Sequence, residues 1–293
     1  MIDVPLRLLC LMALTVSLTS CIKENLDDCD ISYSLTVRAY ERGTEAELSA
    51  DNITDLSLFV FNKDSRFLYK VETGIGEKSA ISGPQGENLL VVTWGNLKQD
   101  HLSYNDPQPG DWLEDCFVEL QERTRAESYA LSPGDLFRGE ITLTADDRTG
   151  DKILPVYREV GSMTVILRNL KQFSGYTDND FYIVVRETPS RIGFDGEMAG
   201  APAVYRPEGS FVTDAGQEVY YVPAFNMLSK ILGVEIDIYH GNDLIATVSA
   251  DRQRNPIIVE KDRLTNVLID LRASVNVDVA LTDWGNHYIW KEF

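Results

Sequence analysis

Histidine is scarce in this chain: His101, His240 and His287 are the only three among 293 residues, and each stands alone. No His-Glu-x-x-His or Cys-x-x-Cys spacing occurs, so the clustered ligands of an ordinary zinc site are missing. The Gly74-Ile75-Gly76 pair has neither the third glycine nor the following helix of a dinucleotide loop. No Walker sequence and no Gly-x-Ser-x-Gly elbow are present either. Basic residues are few, with 27 against 46 acidic ones and a net charge of −19. Loss of residues 1–20 removes Arg7 and Asp3 and leaves that balance unchanged. Such a charge repels DNA, RNA and anionic lipid. Long apolar runs are missing as well. The stretch from Leu8 to Leu18 falls short of the roughly 20 residues a membrane-spanning helix needs.

That short run is nevertheless the most informative segment. It ends in Leu18-Thr19-Ser20-Cys21, with Arg7 before it and Lys23-Glu24 after it. An h-region of this length, closed by small residues, reads as an export signal. A leucine and two small residues before cysteine form the pattern for cleavage before Cys21 and acylation of its thiol. The expected organisation is a signal peptide over 1–20 and an acidic, lipid-linked tether over 21–30. Acidic residues so close to the lipidated cysteine resemble surface-export signals of some bacterial lipoproteins. Ordinary secretion would need no cysteine there. A single acyl chain holds a membrane only marginally, so lasting attachment implies several.

Cysteine count narrows the compartment further. Cys10 leaves with the signal and Cys21 carries lipid, so Cys29 and Cys116 remain. In an exported protein two thiols are most simply a disulfide; two buried free cysteines are the other reading. Neither has a histidine nearby in sequence to make it a nucleophile.

At 44% hydrophobic residues the chain has enough apolar surface for a core, and its length allows two domains. From Ile31 the pattern has period two: Ile31, Tyr33, Leu35, Val37 and Ala39 alternate with polar residues. Leu56–Phe61 reads as a more buried strand, and further strands are expected at 67–72, 89–94 and 141–144. Trp112, Leu113, Cys116, Phe117 and Leu120 recur at helical spacing, which predicts a short helix over 111–122. The polar stretch 145–152 is the expected domain boundary. Beyond it strands are expected at 162–168, 180–186, 218–222, 234–239, 242–250, 257–260, 264–272 and 275–281. Short strands at regular spacing argue β-sandwiches. The expectation is an all-β chain of two sandwiches in series, 31–145 and 153–293, with a short helix in the first.

Other candidates for chemistry are weak. Asp146, Asp147 and Asp151 miss EF-hand spacing, with Arg148 at an intended ligand position, and read as a solvated interdomain loop. Carboxylate pairs for glycoside hydrolysis leave no local signature. Trp284, Tyr288 and Trp290 form either a sugar-stacking platform or a packed chain end. No catalytic residue, cofactor or metal ligand is assigned.

Several segments together resemble the fimbrillin-A-associated anchor protein family. They are Cys21-Ile-Lys-Glu-Asn-Leu-Asp-Asp-Cys29 followed at once by the strand 31–40, then Leu56-Ser-Leu-Phe-Val-Phe-Asn62. Asp135-Leu-Phe-Arg-Gly-Glu140 and Val160-Gly-Ser-Met-Thr-Val-Ile-Leu167 continue the likeness. The resemblance implies two transthyretin-like sandwiches in a lipid-anchored subunit that attaches a fimbrium to the outer membrane and limits its length. It implies fimbrillin-type pilus subunits as partners, joined by β-strand complementation. In the polymerising relatives a protease removes the first strand after an arginine. Here the tether holds Lys23 but no arginine, and the first arginine after Cys21 is Arg38, inside the expected strand, so 31–40 is expected to stay attached and close the groove; Arg42-Gly43 in the following turn is the one point at which a cut would release it. A Cys29–Cys116 bridge would reinforce that closure. A glycan-binding surface lipoprotein of a polysaccharide-uptake system is the alternative, and a lipid-anchored glycosidase is a third reading.

Overall fold

The computed structural model describes residues 30–290 except 45, 125–127, 145–146, 148–149, 215 and 273. The expected signal peptide, Cys21, Cys29, Asp146 and all of the tether but Asp30 lie outside the described residues.

The described chain is built almost entirely from strands. The first half carries β1 (Ile31–Ala39), β2 (Leu56–Phe61), β3 (Phe67–Thr73), β4 (Lys78–Gly83) and β5 (Leu89–Gly95). They are followed by β6 (Leu102–Tyr104), β7 (Phe117–Leu120), β8 (Glu122–Thr124), β9 (Ser128–Ala130) and β10 (Phe137–Leu143). The chain continues through β11 (Asp151–Arg158), β12 (Val160–Arg168), the one-turn helix α1 (Leu170–Ser174), β13 (Phe181–Gly193) and β14 (Met198–Tyr205). The remainder is β15 (Ser210–Asp214), β16 (Gln217–Leu228), β17 (Glu235–His240), β18 (Asp243–Val248), β19 (Arg263–Leu271) and β20 (Val275–Asp283).

Seven strands form the first sheet in the order β3-β2-β5-β10-β11-β1-β4. Its two end strands meet: Tyr69 Oη on β3 donates to the Ser82 carbonyl on β4 at 2.6 Å and accepts the Ser82 N–H at 2.7 Å. The sheet therefore curls around its own core, filled by Tyr33, Leu35, Val37, Leu58, Val60, Ile81, Leu154 and Val156 among others. Strand β2 is buried along its whole length because both its faces are covered. Leu56, Leu58 and Val60 point into that core, while Phe59 and Phe61 join a second and larger one.

The larger core lies between two further sheets. One has the order β15-β16-β12-β19-β20; the other has the order β18-β17-β13-β7-β6, with β14 also paired to β13. Val165, Val222 and Ile269 from the former meet Ile183, Val185 and Ile238 from the latter. The halves are joined by strand pairing as well as by packing. Strand β7 pairs with β13 (Val118 opposite Ile192), and Phe194 at the end of β13 packs edge-on against Phe59, 4.8 Å between ring centres. Where the chain enters β12 the backbones come very close. A Cβ on Gly161 would lie 2.4 Å from the Glu260 carbonyl oxygen, so only glycine fits.

Three expectations are corrected. The segment 111–122 contains one 3-10 turn, Leu113–Asp115, and then β7, not a helix. Cys116, Val118 and Leu120 also alternate with period two, and pairing to β6 on one side and β13 on the other selects the strand. Trp112, expected on the buried face, is 40% exposed and lies under the Arg66 guanidinium at 3.6 Å. Second, residues 257–260 make a single isolated bridge, Val259 with Lys230, just after that of Pro256 with Ala250. Third, β11 begins inside the stretch expected to divide the domains but is a member of the first sheet, parallel to β1. Its Pro155 conceals it in the sequence. Val156 accepts from Tyr40 on the β1 side, so residue 155 faces β10, whose ladder extends only to Tyr157; the missing N–H is not needed there.

Candidate functional site

The first functional candidate is the point where the chain enters the fold. Ile31 lies ten residues after Cys21, a stretch that reaches about 35 Å when fully extended. Strand β1 then runs between β4 and β11, antiparallel to one and parallel to the other, so both of its edges are hydrogen-bonded. Tyr33, Leu35, Val37 and Ala39 are at most 1% exposed. On the opposite face Ser34 Oγ and Thr36 Oγ1 donate to the Asp151 carboxylate at 2.5 and 3.0 Å. Those hydroxyls and Lys78 hold the Asp151 carboxyl below its usual range, the Ser34 bond contributing most. Strand β1 thus fills a groove bordered by β4 and β11, with alternate side chains seated in the core.

The turn after β1 is tied to the other half of the molecule. Arg42 donates its backbone N–H to Asp262 Oδ2 at 2.6 Å and its guanidinium to Glu159 Oε1 at 3.2 Å. It also lies over the Tyr157 ring at 5.2 Å. Asp262 binds the guanidinium of Arg158, which reaches Asp135 at 2.9 Å on its other side. Glu159 pairs with Lys261. Arg158, Glu159 and Asp262 are all buried. Arg158 is enclosed between the Phe137 ring at 5.0 Å and the Trp284 ring at 4.2 Å. This array brings together residues from five separate stretches of chain, which is why no local motif announced it.

Cys116 is a buried free thiol that donates to the Trp112 carbonyl at 3.2 Å. Cys29, the expected bridge partner of Cys116, lies outside the described residues. Burial, reinforced by Asp111 and Asp115, pushes the thiol up to about 11. At mildly alkaline pH, iodoacetamide will leave Cys116 of the folded chain unmodified. Denaturation without reductant will expose it, and peptide mapping will find it alkylated. A bridge to Cys29 would protect it in both states.

The remaining candidates are not brought together. His240 stacks on Tyr176 at 3.7 Å and pairs with Asp178, while His101 and His287 are exposed and apart. Asp147 binds Lys152 and Thr144, which hold its carboxyl down at about 2. Asp151 faces β1 instead, so these two acids share no centre. No metal-binding cluster exists among the described residues. Trp284 is committed to Arg158, whereas Tyr288 and Trp290 pack on each other at 4.7 Å. The three aromatics therefore form no common platform.

Comparison with known proteins agrees with this architecture. Residues 26–290 match the family model of the fimbrillin-A associated anchor proteins Mfa1 and Mfa2. The major fimbrium anchoring subunit FimB of Porphyromonas gingivalis strain W83 is 24% identical over 287 residues, covering 90% of each chain. The same subunit from strain ATCC 33277 is also 24% identical, over 285 residues and 90% of each chain. The solved structure of the fimbrial anchor protein Mfa2 from Porphyromonas gingivalis superimposes with a TM-score of 0.63 at 12% identity, over 87% of this chain and 98% of that one. A fold of curled and stacked mixed sheets, matched along nearly its full length by one family model, places this chain in the fimbrillin-A associated anchor protein family.

Proposed function

We propose that this protein is a lipid-anchored fimbrial subunit, held in the outer membrane at the cell surface through Cys21, that attaches a fimbrium and ends its growth. It is a structural protein and not an enzyme. Relatives carrying the name of fimbrium anchoring subunit support the attachment role. The observation that carries the rest is the placement of β1. It is paired on both edges and buried to within 1% at four alternate positions, and it continues directly from the tether. A subunit whose groove is filled by its own covalently attached strand offers no vacancy to a neighbour's strand, so addition stops there.

The joint to a fimbrillin-type subunit lies elsewhere, at a sheet edge. Strands β15 and β20 end one sheet and β18 and β6 end another. A strand added at such an edge supplies main-chain hydrogen bonds for affinity and alternate side chains for specificity. None of these four edges requires β1 to move.

Replacing Cys21 with Ala tests the reading. Immunoblots of washed cells and culture medium will show the subunit and its fimbriae shed into the medium, with fimbriae longer than normal. Unchanged, cell-bound fimbriae would overturn the anchoring role.

A further inference from the structure

The third sheet turns one face to the core and the other outward, and a groove of about 840 Å³ opens at the start of β13, lined by Tyr182 from the outward face and by Phe181 and Tyr220 from the core side. Phe181 and Ile183 point into the core, so Tyr182 between them points out. Its partner across the ladder is Tyr239, and the two rings stack nearly parallel, 5.1 Å apart. Arg206 lays its guanidinium on Tyr182, 3.7 Å from the ring centre. The Tyr129 ring lies 5.7 Å from the same guanidinium. Arg123 stands directly opposite Tyr129 in the β8–β9 hairpin and lines the groove as well.

Two properties of this groove point to a ligand. In a chain with 46 acidic and 27 basic residues, most arginines have a carboxylate partner. Arg123 and Arg206 form no ion pair among the described residues, yet share one concavity. Stacking on Tyr182 also fixes the plane of the Arg206 guanidinium, so its N–H edge is preorganised for two parallel bonds to a carboxylate. Second, the same groove carries Asp180, Glu208 and Asn242. These are acceptors and donors suited to hydroxyl groups, and their charges oppose a polyanionic peptide.

We infer that this groove binds an acidic oligosaccharide, with the carboxylate of a uronic-acid-type sugar on Arg206 and Arg123 and its hydroxyls on Asp180, Glu208 and Asn242. A neutral glycan would leave both guanidinium groups unmatched. A run of acidic side chains would set like charges against Asp180 and Glu208. The site is remote from the anchoring strand: β13 reaches the first sheet only at its far end, twelve residues and up to about 40 Å from Phe181. Ligand binding there leaves β1 undisturbed and does not depend on the anchoring role.

Titration calorimetry on the purified mature protein tests the inference, with tetrasaccharides of glucuronoxylan, acidic arabinogalactan and hyaluronan as probes, in which uronic acids are spaced by neutral sugars. At least one will bind, and its carboxyl-reduced form will bind about tenfold or more weakly. Arg206→Ala will abolish that binding with an unchanged melting temperature. Arg206→Lys, which keeps the charge but loses the fork, will weaken it about tenfold. The assignment is overturned if none of the three probes binds. It is equally overturned if the reduced sugars bind as well as the acidic ones, if tetraglutamate binds as tightly, or if Arg206→Ala has no effect.

Discussion

Replacing Leu35 with Asp will leave the first sheet unable to form. Leu35 is fully buried at the middle of β1, in one core with Tyr33, Val37, Ile81, Leu89 and Val156. Truncation to Ala removes that packing and leaves a cavity, at a cost of about 2–5 kcal/mol. An aspartate adds a carboxylate that finds no cation in this cluster, whose members are all apolar apart from the Tyr33 hydroxyl. An unpaired charge in such a place costs several kcal/mol more. Against a typical total stability of about 5–15 kcal/mol, the sum removes the native state of this part of the chain. Ser32, exposed on the same strand, is the control, and Ser32→Asp will melt within about 0.5 kcal/mol of the parent. Thermal melts followed by near-ultraviolet circular dichroism, with Leu35→Ala as the intermediate case, provide the series. A parental melt for Leu35→Asp would show that β1 is dispensable, and the strand-retention argument for termination would fall with it.

The importance of β1 was legible in the sequence because its burial is one-sided and regular. Its apolar residues alternate without interruption, and the structure begins and ends the strand within a residue of where that pattern places it. The same holds for β2 and β5, whose apolar runs are nearly continuous, while β20 starts where its alternation begins and runs two residues beyond the expected end. What local pattern did not carry was membership. Residues 102–120 belong by sequence to the first half and by pairing to the sheet built on β13, a partnership across some seventy positions. Cys116 and Leu120 satisfy helical and strand periods alike, so only the distant partner decides between them. Strand β11 fails for a different reason, since Pro155 argues against a strand until the shortness of the β10 ladder is known. The groove on the third sheet was equally hidden. Arg123, Tyr182, Arg206 and Tyr239 are ordinary surface residues until the hairpin and two strands converge. The aromatics that did stand out near the chain end are used for packing.

The junction array was the least legible feature, and it sets the second large effect. Asp262→Ala will destabilise the protein by about 3–5 kcal/mol, because it strips a buried guanidinium of one of its two carboxylates and leaves the Arg42 N–H without its acceptor. The loss reflects the charge left behind, not a large net gain from the pair. The double variant Arg158→Met with Asp262→Asn removes both charges while Asn tolerates the left-handed backbone at 262 (φ 62°), and will therefore recover much of it. Urea denaturation midpoints measure both. The same substitution has a functional readout, since Asp262 and Glu159 hold the turn whose Arg42–Gly43 bond follows β1. In the parent that backbone is pinned, and brief trypsin treatment will spare it. In Asp262→Ala the turn is released, and amino-terminal sequencing will find a fragment beginning at Gly43. Such a cut severs the lipid-linked strand from the rest of the chain and leaves β1 held only by its hydrogen bonds and buried side chains. Fimbriae on cells carrying Asp262→Ala would then detach after mild trypsin while those on parental cells remain. Equal resistance of the two strains would show that Asp262 has no part in protecting the anchor.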